Sequence, residues 1–404
     1  MMRSLAVLAT ALVVGVFGRD PELWQLHKLD LDKFPLARCL DGSPGSFYIR
    51  KGSGSGQKSF LIHTQGGGWC LDPESCYSRS QGDLGSSANL QSEVDCAMKG
   101  TKGNPCVHDG DSGLQSSLKS DNKEMWDWNH AYINYCDGGS YAGDVTDPVS
   151  VTVDGKDKVV YMRGRHVLEG IYDTLIEGFG LSVAESVVIS GTSAGGLAVY
   201  LHADFLREKV QSVSPKANVV AVPDAGFFLD YPAFSGEYLF TPKYQYVFAM
   251  QNASGFVNQD CIGHYSKDES WRCFMAQYTL PFIKTPVFVA NSLMDSWSAR
   301  NIMGLTCDPS GKNSSAICTE DEQAYVAKWR EAFVSTLSPF LGKPGAGAWL
   351  VNCYQHPIVD EIHYWSEVTI QQTDLHSTFA SWHAQSAQQP WVRVDEMGVA
   401  NPKC

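Results

Sequence analysis

Apolar positions in this chain gather into short unbroken runs separated by segments with helical spacing. "ESVVIS", "ANVVAVPD", "TPVFVANS" and "GAWLVNCY" are of strand length, the pattern expected where both faces of a parallel sheet are buried. Earlier, "GSFYIRKG", "KSFLIHTQ" and "HAYINYCD" read as further strands. The first two are separated by "GSGSGQ", which lacks the Gly-Lys-Ser/Thr ending of a phosphate loop and reads as a flexible hairpin turn. From Arg163 to Glu177, Val167, Ile171 and Leu175 share one helical face, with Gly178 and Gly180 near its end. After residue 193, Leu197, Leu201 and Phe205 repeat that spacing. "GAWLVNCY" reads as the last strand and "DLHSTFASWHA" as a terminal helix. The alternation predicts an α/β fold with a mainly parallel sheet covered by helices.

Two segments break the alternation, residues 71 to about 125 and 226 to about 280, both rich in Gly, Ser, Tyr, Phe and Cys without periodicity. They read as long loops or caps stapled by disulfides, inserted into one elaborated domain over residues 19–404, since no repeat or low-complexity linker divides the chain. Residues 1–18 read as a secretory signal peptide: one Arg, an apolar run from Leu5 to Phe17, then Gly18. All twelve Cys follow that cut, as expected for disulfides formed in an oxidising compartment. Their closest spacing is C-x5-C at Cys70 and Cys76, so no metal site is expected. "NAS" at Asn252 and "NSS" at Asn313 are glycosylation candidates in such a protein.

With 404 residues, 44% of them hydrophobic and 11 Trp, the chain can bury a large core, which excludes disordered and fibrous classes. A net charge of -13 without a basic run argues against nucleic-acid partners. No later segment is long and apolar enough to span a membrane, and a soluble monomer is expected.

"GTSAG", residues 191–195, fits G-x-S-x-G. Its context carries the signal: a buried strand directly before and a helix directly after make a nucleophile elbow, whose small flanking residues permit the strained turn that lifts the Ser193 hydroxyl clear of the backbone. The alternative is a glycine-rich turn whose Ser caps the helix. A serine needs a base and a residue to orient that base, here in the order Ser, acid, His on loops after later strands. His356, just beyond "WLVNCY", is the first choice of base and His363 the second; His376 and His383 fall in the terminal helix. For the acid, Asp295 in "NSLMDSW" is preferred on strand order over Asp224 in "VVAVPDAGF", which also suits a turn. "LIHTQGGGWC" supplies a glycine run after an early strand; Gly67 and Gly68, with the N–H of Ala194, are the candidate oxyanion donors.

Taken together, "HTQGGGWC", "SCYSR", "YCDGGSYAGD", "RGRHVLEG", "ISGTSAGGLAVYLHAD", "PDAGFFLD" and "NSLMDSW", followed by the late His segment, resemble the pectin acetylesterase and Notum carboxylesterase family over most of residues 35 to 380. The resemblance implies an α/β-hydrolase fold and a secreted serine carboxylesterase without cofactor. It also implies the triad Ser193, Asp295 and His356 and the oxyanion hole named above; "NCYQH" matches the family's Cys-x-x-His segment, favouring His356 over His363. Trp69 and Tyr141, inside two of the motifs, are substrate-pocket candidates. Family members commonly carry Glu where this chain has Gln65, which keeps the hydrogen-bonding shape but not the charge. "GGGWC" and "YCDGGSYAGD" look closer to the plant branch, so the expected substrate is an O-acetyl ester on a polysaccharide such as pectin, in a cell wall or extracellular matrix. A Notum-like deacylase of a long acyl chain and an inactive binding protein on this scaffold are the alternatives. A charge of -13 would disfavour polyanionic pectin unless its carboxylates are methylated or bridged by calcium.

Overall fold

Seven of the sheet's ten strands run parallel, and each apolar run read above is one of them or pairs with one. The computed structural model describes residues 23–96, 105, 113–312, 316–385, 390–396 and 400–404. The expected leader, residues 1–18, and Asn313 lie outside the described residues. The strands are β1 (Leu23–Lys28), β2 (Ser46–Arg50), β3 (Ser59–Thr64), β4 (Glu93–Asp95), β5 (Asn129–Ile133), β6 (Ser186–Thr192), β7 (Asn218–Asp224), β8 (Phe288–Ser292), β9 (Gly347–Val351) and β10 (Trp391–Val394). Their order is β10-β9-β8-β7-β6-β3-β5-β2-β1-β4. β1 pairs antiparallel with β2 and β4, and β2 with β5; the other neighbours are parallel.

Side-chain alternation explains why the central strands look uniformly apolar. In β6, Val187 and Ile189 enter one core layer while Val188 enters the other; β3 divides Phe60 and Ile62 from Leu61 in the same way. The first layer is covered by α2 (Gly164–Gly178) and α3 (Ala194–Val213), and α6 (Glu320–Leu341) adds Trp329 and Phe333. The second is covered by α7 (Leu375–Gln385) through Phe379 and Trp382. α6 starts on a capping box in which Thr319 and Glu322 bond each other's backbone N–H, and three acidic residues in its first turn suit the helix dipole.

Two expectations change. "GSGSGQ" is not a hairpin, because β5 lies between β2 and β3; the stretch forms a 3-10 turn at Gly54–Lys58 that starts a crossover. β9 is not the last strand, since β10 joins the edge beside it, Gly347 opposite Trp391. The two aperiodic segments, expected as loops or caps, carry short elements of their own. The first contains α1 (Pro73–Ser80) and β4, and the second contains α4 (Thr241–Met250) with several shorter helical turns. Disulfides Cys70–Cys76 and Cys261–Cys273 pin them, and Cys39–Cys136, Cys307–Cys318 and Cys353–Cys404 join other parts.

Candidate active site

β6 ends at Thr192 and α3 begins at Ala194, leaving Ser193 alone in the turn with φ +58° and ψ -123°. Such a backbone costs about 1–3 kcal/mol for a residue with a side chain and persists only where its surroundings impose it. The surroundings are close. A Cβ on Gly195 would lie 2.0 Å from the Thr64 carbonyl oxygen, and one on Gly191 would lie 2.1 Å from Thr64 Oγ1. Glycine at both positions is therefore a packing requirement. Ser193 N donates to the Asp224 carbonyl at 2.9 Å, tying the turn to β7. The Ser193 side chain makes no cap bond to α3; its Oγ is 2.8 Å from His356 Nε2 instead.

Asp295 lies three residues beyond β8 and caps α5 (Ser296–Asn301). Its Oδ1 accepts from Ser298 N at 2.6 Å, which aims Oδ2 at His356 Nδ1, 2.5 Å away. With Nδ1–H donating to the carboxylate, Nε2 is left to accept from the Ser193 hydroxyl. Burial favours neutral His356, but the charge and hydrogen bond of Asp295 outweigh it, so the pKa lies above 6.5. Cys353, three residues before His356, is tied to the C-terminal Cys404.

Asp224, the other acid weighed from the sequence, does not touch His356. Its Oδ2 accepts from the backbone N–H groups of Ile358 and Val359 at 3.0 and 3.1 Å, so it holds the segment that follows His356. Burial, joined by the charge of Asp360, pushes its pKa well above the usual carboxylate range, against the opposing pull of the two N–H bonds and of His356. Of the remaining histidines, exposed His363 pairs with Glu367, His376 with Glu124, and His383 approaches Ser186.

The glycine run follows β3 directly. Gly67 and Gly68 have φ of +142° and +68°. Among the described residues no acceptor meets the N–H of Gly67, Gly68 or Ala194. The carbonyls of the loop, in contrast, are held from outside: Arg79 Nη1 donates to Gly67 O, and Tyr135 Oη to Gly68 O, both at 2.8 Å. The Tyr135 hydroxyl also accepts from Ser140 N, and Ser140 Oγ donates to Ala194 O at 2.8 Å. With the carbonyls turned away, the N–H groups are free to serve an anion. Arg79, Tyr135 and Ser140 have no role in the reading of the sequence alone, although they lie in the quoted "SCYSR" and "YCDGGSYAGD". Gln65 Oε1 accepts from Tyr135 N at 2.9 Å, a bond that needs an oxygen there but not a charge.

A cavity of about 430 Å³ opens over these groups, with Gln65, Gly67, Ser193, Trp297, His356 and Asp360 in its wall. Tyr141 is not in that wall. It is fully buried, its hydroxyl donates to the Ile133 carbonyl at 3.0 Å, and its N–H donates to buried Asp137. Trp69 stands one layer back: its Nε1 donates to Ser140 Oγ at 2.8 Å while its ring packs on Trp297, Phe228, Phe240 and Tyr244. Trp297, overlooked in the sequence, is the aromatic residue that reaches the cavity with Tyr132. Asn252 is exposed, with its amide donating to the Asp144 carbonyl at 2.9 Å.

Comparison with known proteins gives a consistent result. The profile of the pectinacetylesterase family matches residues 22–404. Pectin acetylesterase 7 of Arabidopsis thaliana is 31% identical over 327 residues, covering 79% of this chain and 76% of the relative. Pectin acetylesterase 5 of the same plant is 29% identical over 392 residues, covering 94% and 85%. The palmitoleoyl-protein carboxylesterase NOTUM of Homo sapiens is 25% identical over 354 residues, covering 85% of this chain and 63% of that protein. No helix among the described residues is long and apolar enough to cross a membrane. The chain belongs to the pectinacetylesterase family and is a carboxylic ester hydrolase.

Proposed function

We propose that this chain is a secreted serine esterase, built as a single α/β-hydrolase domain, that removes O-acetyl groups from a polysaccharide. The observation that carries the chemistry is the line Ser193 Oγ, His356, Asp295, with separations of 2.8 and 2.5 Å, at the carboxyl ends of β6, β9 and β8. His356 Nε2 takes the Ser193 proton as Oγ attacks the ester carbonyl. The tetrahedral oxyanion is bound by the N–H groups of Gly67, Gly68 and Ala194. Collapse breaks the bond to the sugar oxygen, which leaves with the proton from His356. Water, deprotonated by the same imidazole, then attacks the acetyl-Ser193 carbonyl; acetate departs and Ser193 recovers its proton. No step calls for a cofactor.

The polysaccharide substrate is supported by the identity to plant pectin acetylesterases over most of the chain. Secretion is supported by the disulfides and by the apolar leader. Asn252 and Asn313 are the glycosylation sites in this reading. The test is turnover of p-nitrophenyl esters: Ser193→Ala should fold and lose nearly all activity, and the wild type should prefer acetate to octanoate. A fully active Ser193→Ala enzyme would sink the nucleophile assignment, whereas a preference for octanoate would move the substrate toward a NOTUM-like acyl chain.

A further inference from the structure

A second cleft, of about 440 Å³, lies beside the N-terminus of α4, with Asp230, Tyr238, Gln245, Trp271, Arg272 and Tyr278 in its wall. Its chemistry is unlike that of the catalytic cavity. Arg272 is held by aromatic faces, its guanidinium carbon 5.0 Å from the Tyr278 centroid, 5.5 Å from Trp271 and 5.9 Å from Tyr265. Among the described residues its side chain donates no hydrogen bond, its Nε is buried without an acceptor, and its one ion pair, to Glu269, is long at 3.4 Å. An arginine so placed is pre-ordered by stacking while its donors remain uncommitted. The disulfide Cys261–Cys273 fixes the adjacent backbone, so little ordering cost is left for binding.

Across the cleft, Asp230 accepts from the hydroxyls of Thr241 and Tyr278, the latter at 2.7 Å. Each carboxylate oxygen retains a lone pair for a further donor. Tyr238, half exposed, and Trp271 supply flat apolar faces. A planar fork for a carboxylate, aromatic plates for a ring and an acceptor for hydroxyls together match one ligand class. We infer that this cleft binds a uronate residue of the polysaccharide chain, with Arg272 taking the sugar carboxylate and Asp230 a ring hydroxyl.

The inference rests on the polysaccharide reading above and deepens it. It gives an acidic protein a local means of holding an anionic polymer that its net charge of -13 would repel. It also has a route to the chemistry: Phe240, next to Thr241 in the cleft wall, packs on Trp297 at 5.0 Å, and Trp297 lines the catalytic cavity. One aromatic layer therefore joins the two walls.

The test is calorimetric titration of the full chain with trigalacturonic acid, its methyl ester and neutral galactotriose, none of which carries an acetyl ester. Trigalacturonic acid should bind, and both methyl esterification and Arg272→Gln should weaken it about tenfold or more, the scale of a lost charge-assisted contact. Arg272→Lys should recover only part, lacking the fork. Should Arg272→Gln fail to fold, Tyr238→Ala at its exposed position takes its place, with several-fold weakening expected. Equal affinity for the acid and the neutral sugar, unchanged affinity in the variants, or no binding at millimolar concentration overturns the inference. Because these ligands are not hydrolysed, intact binding together with ester turnover that survives Ser193→Ala would count against the serine-esterase reading alone.

Discussion

Asp224 separates two explanations of an acid at a strand end: one that orients the base and one that shapes the loop bearing it. The structure predicts that Asp224→Asn and Asp224→Ala will differ sharply. In the wild type, Oδ2 satisfies the N–H groups of Ile358 and Val359, both buried, at 3.0 and 3.1 Å. Truncation to Ala leaves both donors without a partner, and at about 1–3 kcal/mol for each orphaned group the loss of stability is about 2–6 kcal/mol. Part of that cost can be avoided only by moving the segment that carries His356, so turnover of p-nitrophenyl acetate should fall by about tenfold or more. Asn has the same shape and one carbonyl oxygen that can accept both bonds. Burial and the charge of Asp360 raise the Asp224 pKa, so the surroundings disfavour the charge that Asn lacks. Asp224→Asn should therefore unfold in urea within about 1 kcal/mol of wild type and keep activity within a few-fold. The assays are urea unfolding and initial rates on the same preparations. An Asn variant as inactive as one lacking the triad acid, or an Ala variant indistinguishable from wild type, would refute the reasoning.

Other perturbations test other parts of the account. In Asp295→Asn the helix cap to Ser298 survives, so stability should hold while kcat falls on the order of 10⁴-fold, the loss typical of an imidazole held in the wrong tautomer. Wild-type kcat/KM should fall in acid with an apparent pKa above 6.5, because His356 must be neutral to act as base; in Asp295→Asn, where burial is no longer offset by the charge of Asp295, the residual activity should persist to lower pH. Gly195→Ala drives a Cβ to 2.0 Å from the Thr64 carbonyl oxygen, an overlap that neither backbone can relieve, so thermal unfolding should shift down and p-nitrophenyl acetate turnover should largely vanish. Replacing Cys353 and Cys404 together by Ser opens a crosslink between residues 51 apart, costing about 4 kcal/mol by chain entropy; urea unfolding measures it, and the freed His356 loop should lower kcat as well.

Much of this site can be read from the chain because its logic is local. Ser193 is announced by a buried run before it and a helical spacing after it, and both depend on neighbours in sequence. Asp295 and His356 follow from strand order, since loops at the carboxyl ends of parallel strands converge. Long-range pairings are harder to see. "GSGSGQ" has the composition of a hairpin turn, yet β5, some 70 residues later, inserts between the strands it joins. Asp224 resembles a turn former or a triad acid, and its partners 134 and 135 residues away leave no local trace. Tyr141 sits in a motif that borders the site, but its hydroxyl is held on the Ile133 carbonyl at the end of β5 and its ring is buried behind the cavity wall. β10 is four residues long and its sequence, "WVRV", is only half buried, too short for periodicity to register. α4 could have been found: "TP" opens it, and Tyr244, Val247 and Phe248 repeat at helical spacing.

The central claim is that Ser193 carries the acyl group, and trapping that intermediate tests it most directly. After rapid acid quenching of a reaction with p-nitrophenyl acetate, peptide mass spectrometry should find an acetyl group on the peptide containing Ser193 in the wild type. Asp295→Asn, with its slower chemistry, should also carry it, and Ser193→Ala should not. Steady hydrolysis with no acetyl group on that peptide, or an acetyl group at another residue that turns over at the rate of hydrolysis, would contradict the account.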